Sequence, residues 1–164
     1  MGAVHPNLIV GIGGSAGALS GYKALVDALP SHTGMTFVFV SPPLPTANSQ
    51  LAQILSRHTN MPVLVASMAM PIRANHVYMS PPDADLLIGS HTFKVVSPPT
   101  RKLAQIDCLF MSLAEAMGAR AIGIILAGYG GDGIEGCKHI RAKGGKRWPH
   151  SFEQQPEFLQ WILC

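Results

Sequence analysis

At 164 residues the chain is long enough for one domain with its own core, at roughly 100–200 residues per domain. Apolar residues make up 48% and charged residues 13%; the charged share is about half the usual 25% or so, which excludes a disordered chain. A net charge of +3 without a basic run argues against a nucleic-acid partner, and three cysteines (Cys108, Cys137, Cys164) without a CxxC pair exclude a disulfide scaffold and the usual zinc patterns.

The sparse cysteines fit a reducing, cytoplasmic setting. The best apolar runs, 8–13 and 121–127, fall far short of the roughly 18–20 residues of a membrane span. Met1–Asn7 holds no Lys or Arg of the kind that opens a signal peptide. A cytoplasmic chain without membrane insertion is expected.

Leu8–Ile12 is an apolar run ending in glycines, the pattern of a buried parallel strand. Leu19, Tyr22, Leu25, Val26 and Leu29 recur at three and four and predict a helix over Ala16–Leu29, stopped by Pro30. Met35–Val40 is a second strand, and the prolines at 42, 43 and 45 make Ser41–Pro45 a loop. Leu51, Ile54 and Leu55 mark a second helix, capped by Thr46 or Ser49. Pro62–Val65 and His76–Met79 read as short strands. Leu86–Ile88 and Phe93–Val96 flank Gly89–Thr92, a hairpin signal. Ile106, Leu109, Phe110, Leu113 and Met117 predict an amphipathic helix with Asp107 near its start. Ala121–Leu126 is another buried strand, Gly128–Gly133 a glycine-rich loop, and Ile134–Ala142 a helix stopped by Gly144-Gly145. Strands alternating with helices imply an α/β domain with an open, mostly parallel sheet and right-handed crossovers.

Lys146–Cys164 breaks the pattern. It holds Trp148, Phe152, Phe158 and Trp161, with Gln154-Gln155-Pro156 interrupting any strand and Phe158–Leu163 reading as a short amphipathic turn. Two readings stay open: a docked C-terminal helix, or a tail foreign to the fold.

Gly13-Gly14-Ser15-Ala16-Gly17 matches GxSxG. A serine on a tight strand-to-helix turn stands out above the sheet, its flanking glycines permit the backbone, and the next amide, of Ala16, is an oxyanion donor beside a helix N-terminus. The plainer reading is a glycine turn with a helix-capping Ser15. Gly11–Ala16 also fits a dinucleotide GxGxxA fingerprint, but Val40-Ser41-Pro42-Pro43 lacks the acid that fingerprint needs after the second strand. Asp132 lies in the glycine loop after Ala121–Leu126, at the carboxyl edge where ligands bind; alone, such an Asp is most often a turn former. None of the seven histidines (His5, His32, His58, His76, His91, His139, His150) falls at a strand's carboxyl end, so no general base presents itself.

Taken together, Val10–Gly17, Arg57–Val63, His76–Pro82, Ile106–Ala114 and Leu126–Gly133 resemble the CheB-type protein-glutamate methylesterases of bacterial chemosensing. The style is nearest to those fused to methyltransferase and PAS modules. The resemblance implies a Rossmann-like three-layer sandwich with a small hairpin near 86–96. It implies hydrolysis of glutamate methyl esters on chemoreceptors by a Ser-His-Asp triad, without cofactor or metal, in phosphorelay signalling. It assigns Ser15 as nucleophile, Asp132 as triad aspartate, the Ala16 amide as oxyanion donor and Tyr129 as a residue lining the site. The partner implied is a methylated chemoreceptor or sensor; oligomeric state is not implied.

Several positions depart from the family. Pro42 stands at the catalytic His, and proline cannot accept a proton. Ala18 replaces a glycine, and Asp85 a site-facing His. After Gly145 the family's closing strand, acidic segment and helix are not matched. The expectation is an incomplete methylesterase domain over 1–145 and a non-matching tail over 146–164, with β-edge surface left open and weak or absent activity. The alternative is a non-catalytic receptor-binding or scaffold module on the same fold.

Overall fold

The computed structural model describes residues 4–14, 16–40, 47–126, 131–145 and 161–163. In chain order the elements are β1 (Ile9–Gly14), α1 (Leu19–Ala28), β2 (Thr36–Val40), α2 (Ala47–Ser56), β3 (Val63–Val65), β4 (His76–Met79), β5 (Asp85–Ile88), β6 (Phe93–Val96), α3 (Gln105–Met117), β7 (Ala121–Leu126), α4 (Ile134–Ala142) and β8 (Trp161–Leu163).

The main sheet has the order β3-β4-β2-β1-β7-β8, and β5-β6 form a separate antiparallel hairpin. All main-sheet pairings are parallel except β7 with β8. Both faces are covered, which is why β1, β2 and β7 read as unbroken apolar runs rather than alternating ones. Val10 and Ile12 face one way and pack with Tyr22, Leu25 and Leu55 of α1 and α2. Ile9 and Val38 face the other way, toward Leu109, Phe110 and Leu113 of α3, Ile140 of α4 and Phe93 of the hairpin. This is the three-layer α/β sandwich expected.

The predicted elements fall within one or two residues of the observed ones, with two corrections. β1 runs on through Gly14, because Gly13 and Gly14 still pair with β7, so the turn begins later and α1 is preceded by a 3-10 turn over Ala16–Ala18. At the other end, Trp161–Leu163 is neither helix nor turn but β8, antiparallel to β7 with Leu126 opposite Trp161 and Ile124 opposite Leu163. The outer edge of β7 presents unpaired backbone groups, and Trp-Ile-Leu are good strand formers. The sheet edge expected to lie open therefore carries a strand. The Ser41–Pro45 loop, the caps at Thr46 or Ser49, and Lys146–Gln160 lie outside the described residues and side chains. Cys108 is a free thiol.

Candidate active site

β1 lies between β2 and β7, and its successor β2 lies on the opposite side from β7, so the strand order reverses at β1. In open α/β sheets the crevice at such a reversal, beyond the carboxyl ends, is where ligands bind. The register is specific. Gly13 pairs with Val40 and Gly14 with Leu126. Three adjacent strands thus end side by side, and residues 15, 41 and 127 are the next in each. Ser15, Pro42 and Tyr129 lie outside the described residues; Ala16 opens the 3-10 turn.

The glycines of the motif act by the space they leave. A Cβ on Gly13 would stand 2.6 Å from Ile106 Cγ2, and one on Gly14 would stand 2.7 Å from the Leu126 carbonyl oxygen. Such contacts are far inside van der Waals range, so any side chain would lift α3 or the 3-10 turn off β1. Neither glycine has a positive φ. The expectation that they permit a special backbone is replaced at these two positions by close packing.

Tyr22 fastens the root of the Pro42 segment. Its hydroxyl, fully buried, donates to the carbonyl of Val40, the last residue of β2, at 3.3 Å. Its ring meets Phe39 edge-on at 5.2 Å. Burial holds the phenol far above its ordinary range, so it stays a donor.

Asp132 is held from the opposite side. Its Oδ2 accepts from the Ile106 amide at 3.1 Å and its Oδ1 from the Asp107 amide at 2.9 Å. These are unpaired donors of the first turn of α3, whose own N-cap, Ala104, offers no side-chain bond. The Asp107 carboxylate returns the arrangement. Its Oδ1 accepts from the Gly133 amide at 3.0 Å and the Gly136 amide at 2.8 Å, in the first turn of α4. Each aspartate caps the other's helix. Gly133, at φ +99, and Gly136, where a Cβ would fall 2.5 Å from Phe110 Cβ, let the two helices approach. Partial burial raises the Asp132 carboxyl above the usual range; the amides of Asp107 and Ile106 pull it back, and the neighbouring Asp107 charge adds to the rise. Sequence reasoning placed Asp107 near a helix start but missed this exchange; the available signal was an acid in a first turn.

Asp85 is buried at 1% exposure. Its Oδ2 accepts from the Thr100 amide at 2.8 Å and the Thr100 hydroxyl at 2.6 Å, while Oδ1 has no hydrogen-bond partner. Burial first, and then the Asp85 charge, push the nearby Cys108 thiol up, with a Thr100 hydrogen bond opposing.

None of the six described histidines meets Asp132. His58 pairs with Asp27 at 2.9 Å and His139 with Glu115 at 2.9 Å. His76 reaches the Ala74 carbonyl, His32 lies beside Ser31, and His5 and His91 lie ring to ring. Among the described residues no cluster of three His, Cys, Asp or Glu could hold a metal ion, and no helix is long and apolar enough to cross a membrane.

The profile of the family described as CheB methylesterase matches residues 10–154. The chain is 28% identical over 162 residues to protein-glutamate methylesterase/protein-glutamine glutaminase 1 of Myxococcus xanthus, covering 95% of this chain and 47% of that protein. It is 28% identical over 143 residues to the corresponding Hydrogenovibrio crunogenus protein, covering 83% of this chain and 38% of that one. The chain thus spans about half the length of these relatives or less. The crystal structure of the Thermotoga maritima CheB methylesterase catalytic domain superposes with a TM-score of 0.77 at 25% identity, covering 85% of this chain and 77% of that one.

Proposed function

The chain belongs to the CheB methylesterase family, and on that premise we propose that it is a protein-glutamate methylesterase domain whose chemistry is stalled for want of a base. Its substrate is a glutamate methyl ester on a cytoplasmic chemoreceptor or sensor. Ser15 Oγ adds to the ester carbonyl carbon, and the oxyanion that forms accepts from the Ala16 amide. Collapse expels methanol, which carries off a proton, and leaves a glutamyl ester on Ser15. Water repeats the addition and frees the glutamate carboxylate. The reaction needs no cofactor, but it needs a group to take the Ser15 proton and return it. Pro42, at the family's His position, has no lone pair for that proton. Deleting the His of a serine hydrolase costs about 10⁶ in rate, so the chain turns over near background.

The observation that carries this reading is the pairing of Gly14 with Leu126. It ends β1 beside the end of β7, and Ser15 follows the one in the chain as the glycine loop with Asp132 follows the other. A second reading, a receptor-binding module without chemistry, has support of its own. Both Asp132 oxygens hold α3 amides, a task that survives the loss of catalysis.

Methanol release from a methylated receptor fragment tests the proposal. The chain as it stands is expected at background, and Pro42→His to gain at least about 100-fold, the lower range of general-base catalysis. Ser15→Ala in that background should remove the gain. Turnover by the unaltered chain that Ser15→Ala abolishes would overturn the stalled state. Silence from Pro42→His with receptor still bound would favour the binding module.

A further inference from the structure

A cavity of about 660 Å³ opens at the other end of α3, between that helix, the β5–β6 hairpin and residues 5–9. Asp132 binds the first amides of α3, whereas this cavity is lined by Met117 and Arg120 at its far end. The α3 residues that line the cavity begin at Ser112, so at 1.5 Å per residue its near edge stands about 8 Å along the helix axis from the Asp107 amide that Asp132 holds. The volume lies within the roughly 300–1,000 Å³ of small-molecule sites.

The lining divides by chemistry. Ile9, Ile72 and Ile88, all buried, supply an apolar floor. Lys94 and Arg120 stand on the rim, exposed, and neither has an ion-pair partner among the described residues. Glu115 is also on the rim, but its carboxylate is met from α4 by His139 at 2.9 Å and from the adjoining Lys143 at 3.3 Å. The unanswered charge is therefore positive, reduced by the carbonyl end of α3 but not reversed by it. His5 and His91 lie on the same rim with ring centroids 4.1 Å apart and planes tilted 33°. They make an aromatic wall on the rim that also carries the two cations.

We propose that this cavity binds a small anion with a flat, apolar body, an aryl or heterocyclic phosphate or carboxylate. The anionic head lies between Lys94 and Arg120, where a guanidinium takes phosphate or carboxylate in a forked pair. The body lies on the isoleucine floor against the histidine rings. The cavity is independent of the ester chemistry.

Isothermal titration with phenyl phosphate and with inorganic phosphate tests the proposal. Phenyl phosphate is expected to bind saturably and at least about 10-fold more tightly than inorganic phosphate, the difference the floor and rings supply. Lys94→Glu/Arg120→Glu should weaken both by at least about 10-fold. His91→Ala should weaken phenyl phosphate alone. Arg57→Glu, an exposed cation elsewhere, should change neither, and circular dichroism checks that each variant is folded. Absence of saturable phenyl phosphate binding, or binding that the charge reversal leaves intact, overturns the proposal. Equal affinity for the two probes refutes the role of the floor and rings.

Discussion

Replacing Asp107 by alanine removes half of the cap exchange and leaves the other half in place. Asp107 is 9% exposed, and its Oδ1 serves two amides in the first turn of α4, those of Gly133 and Gly136, both buried. Each hydrogen bond to an ionised acceptor contributes about 1.5–3 kcal/mol, and a buried amide left without a partner costs about 1–3 kcal/mol. These figures describe the same loss and are not summed. Returning the carboxylate to water is set against them. A net loss of about 3 kcal/mol results, or about 6–12 °C in melting temperature for a domain of this size. Urea unfolding followed by circular dichroism measures it, with an unchanged m-value marking a change in stability alone. Asp107→Asn keeps an oxygen acceptor and should lose about half as much. Asp132 receives the backbone amide of Asp107, not its side chain, so Asp107→Ala leaves that bond intact. Because both carboxylates hold the same pair of helices, the double variant with Asp132→Ala should lose less than the sum by about 1 kcal/mol. A loss below about 1 kcal/mol in Asp107→Ala would refute the reasoning, since those amides would then have found other partners.

Gly13→Ala puts a methyl group 2.6 Å from Ile106 Cγ2 and should cost about 2 kcal/mol, in the range of overpacked cores. Gly17→Ala, where nothing lies within 4 Å, should leave thermal stability within about 0.5 kcal/mol of the parent; equal losses at the two sites would show that packing is not what glycine provides at Gly13. Asp132 has its folded-state carboxyl raised, chiefly by burial, so the folded chain takes up that proton more readily than the unfolded one. Its contribution favours folding at low pH and is lost as pH rises from the ordinary value of about 3.9 through the raised one. The stability difference between the parent and Asp132→Asn should therefore fall across that window and be flat above it. Urea titrations at a series of pH values measure this, and a difference that grew with pH would reverse the assigned sign.

The layers were legible because periodicity reports which faces are buried. Leu109, Phe110 and Leu113 recur on one side of α3 and are fully buried there. β1 and β7 read as unbroken apolar runs because helices cover both their faces. What periodicity does not report is pairing. Nothing local in Trp161–Leu163 names β7 as its partner, and Gln154-Gln155-Pro156 argued against a strand, yet the free edge of β7 takes those residues up. The cap exchange was hidden for the same reason. Asp107 and Asp132 are far apart in sequence, and each local signal, an acid in a first turn and an Asp in a glycine loop, has an ordinary local explanation. Asp132 itself was legible as a candidate because a loop after a buried strand must leave by the carboxyl edge. The role of Gly13 and Gly14 was not, since only the approach of Ile106 and Leu126 shows that space is what they supply.

The geometry at Asp132 bears on what its presence means. A carboxylate offers about four acceptor positions, and the Ile106 and Asp107 amides occupy one on each oxygen. In a triad the remaining capacity would hold an imidazole in place. On the proposed reading Pro42 leaves that capacity no such ring to serve, while the amide bonds still hold α3. An aspartate so employed would be kept by a folded domain whether or not it hydrolyses anything, so its presence alone does not argue for activity. The same bonds make the Pro42→His experiment a fair one. Asp132 does not depend on a histidine for its position, since the first turn of α3 holds it, and Tyr22 holds the end of β2 from which residue 42 departs. If the new imidazole reaches Ser15 and Asp132, it meets a carboxylate already oriented. If it does not, the fault lies in the path of residues 41–46, and shortening or replacing that proline-rich segment is the variant that would tell the two apart.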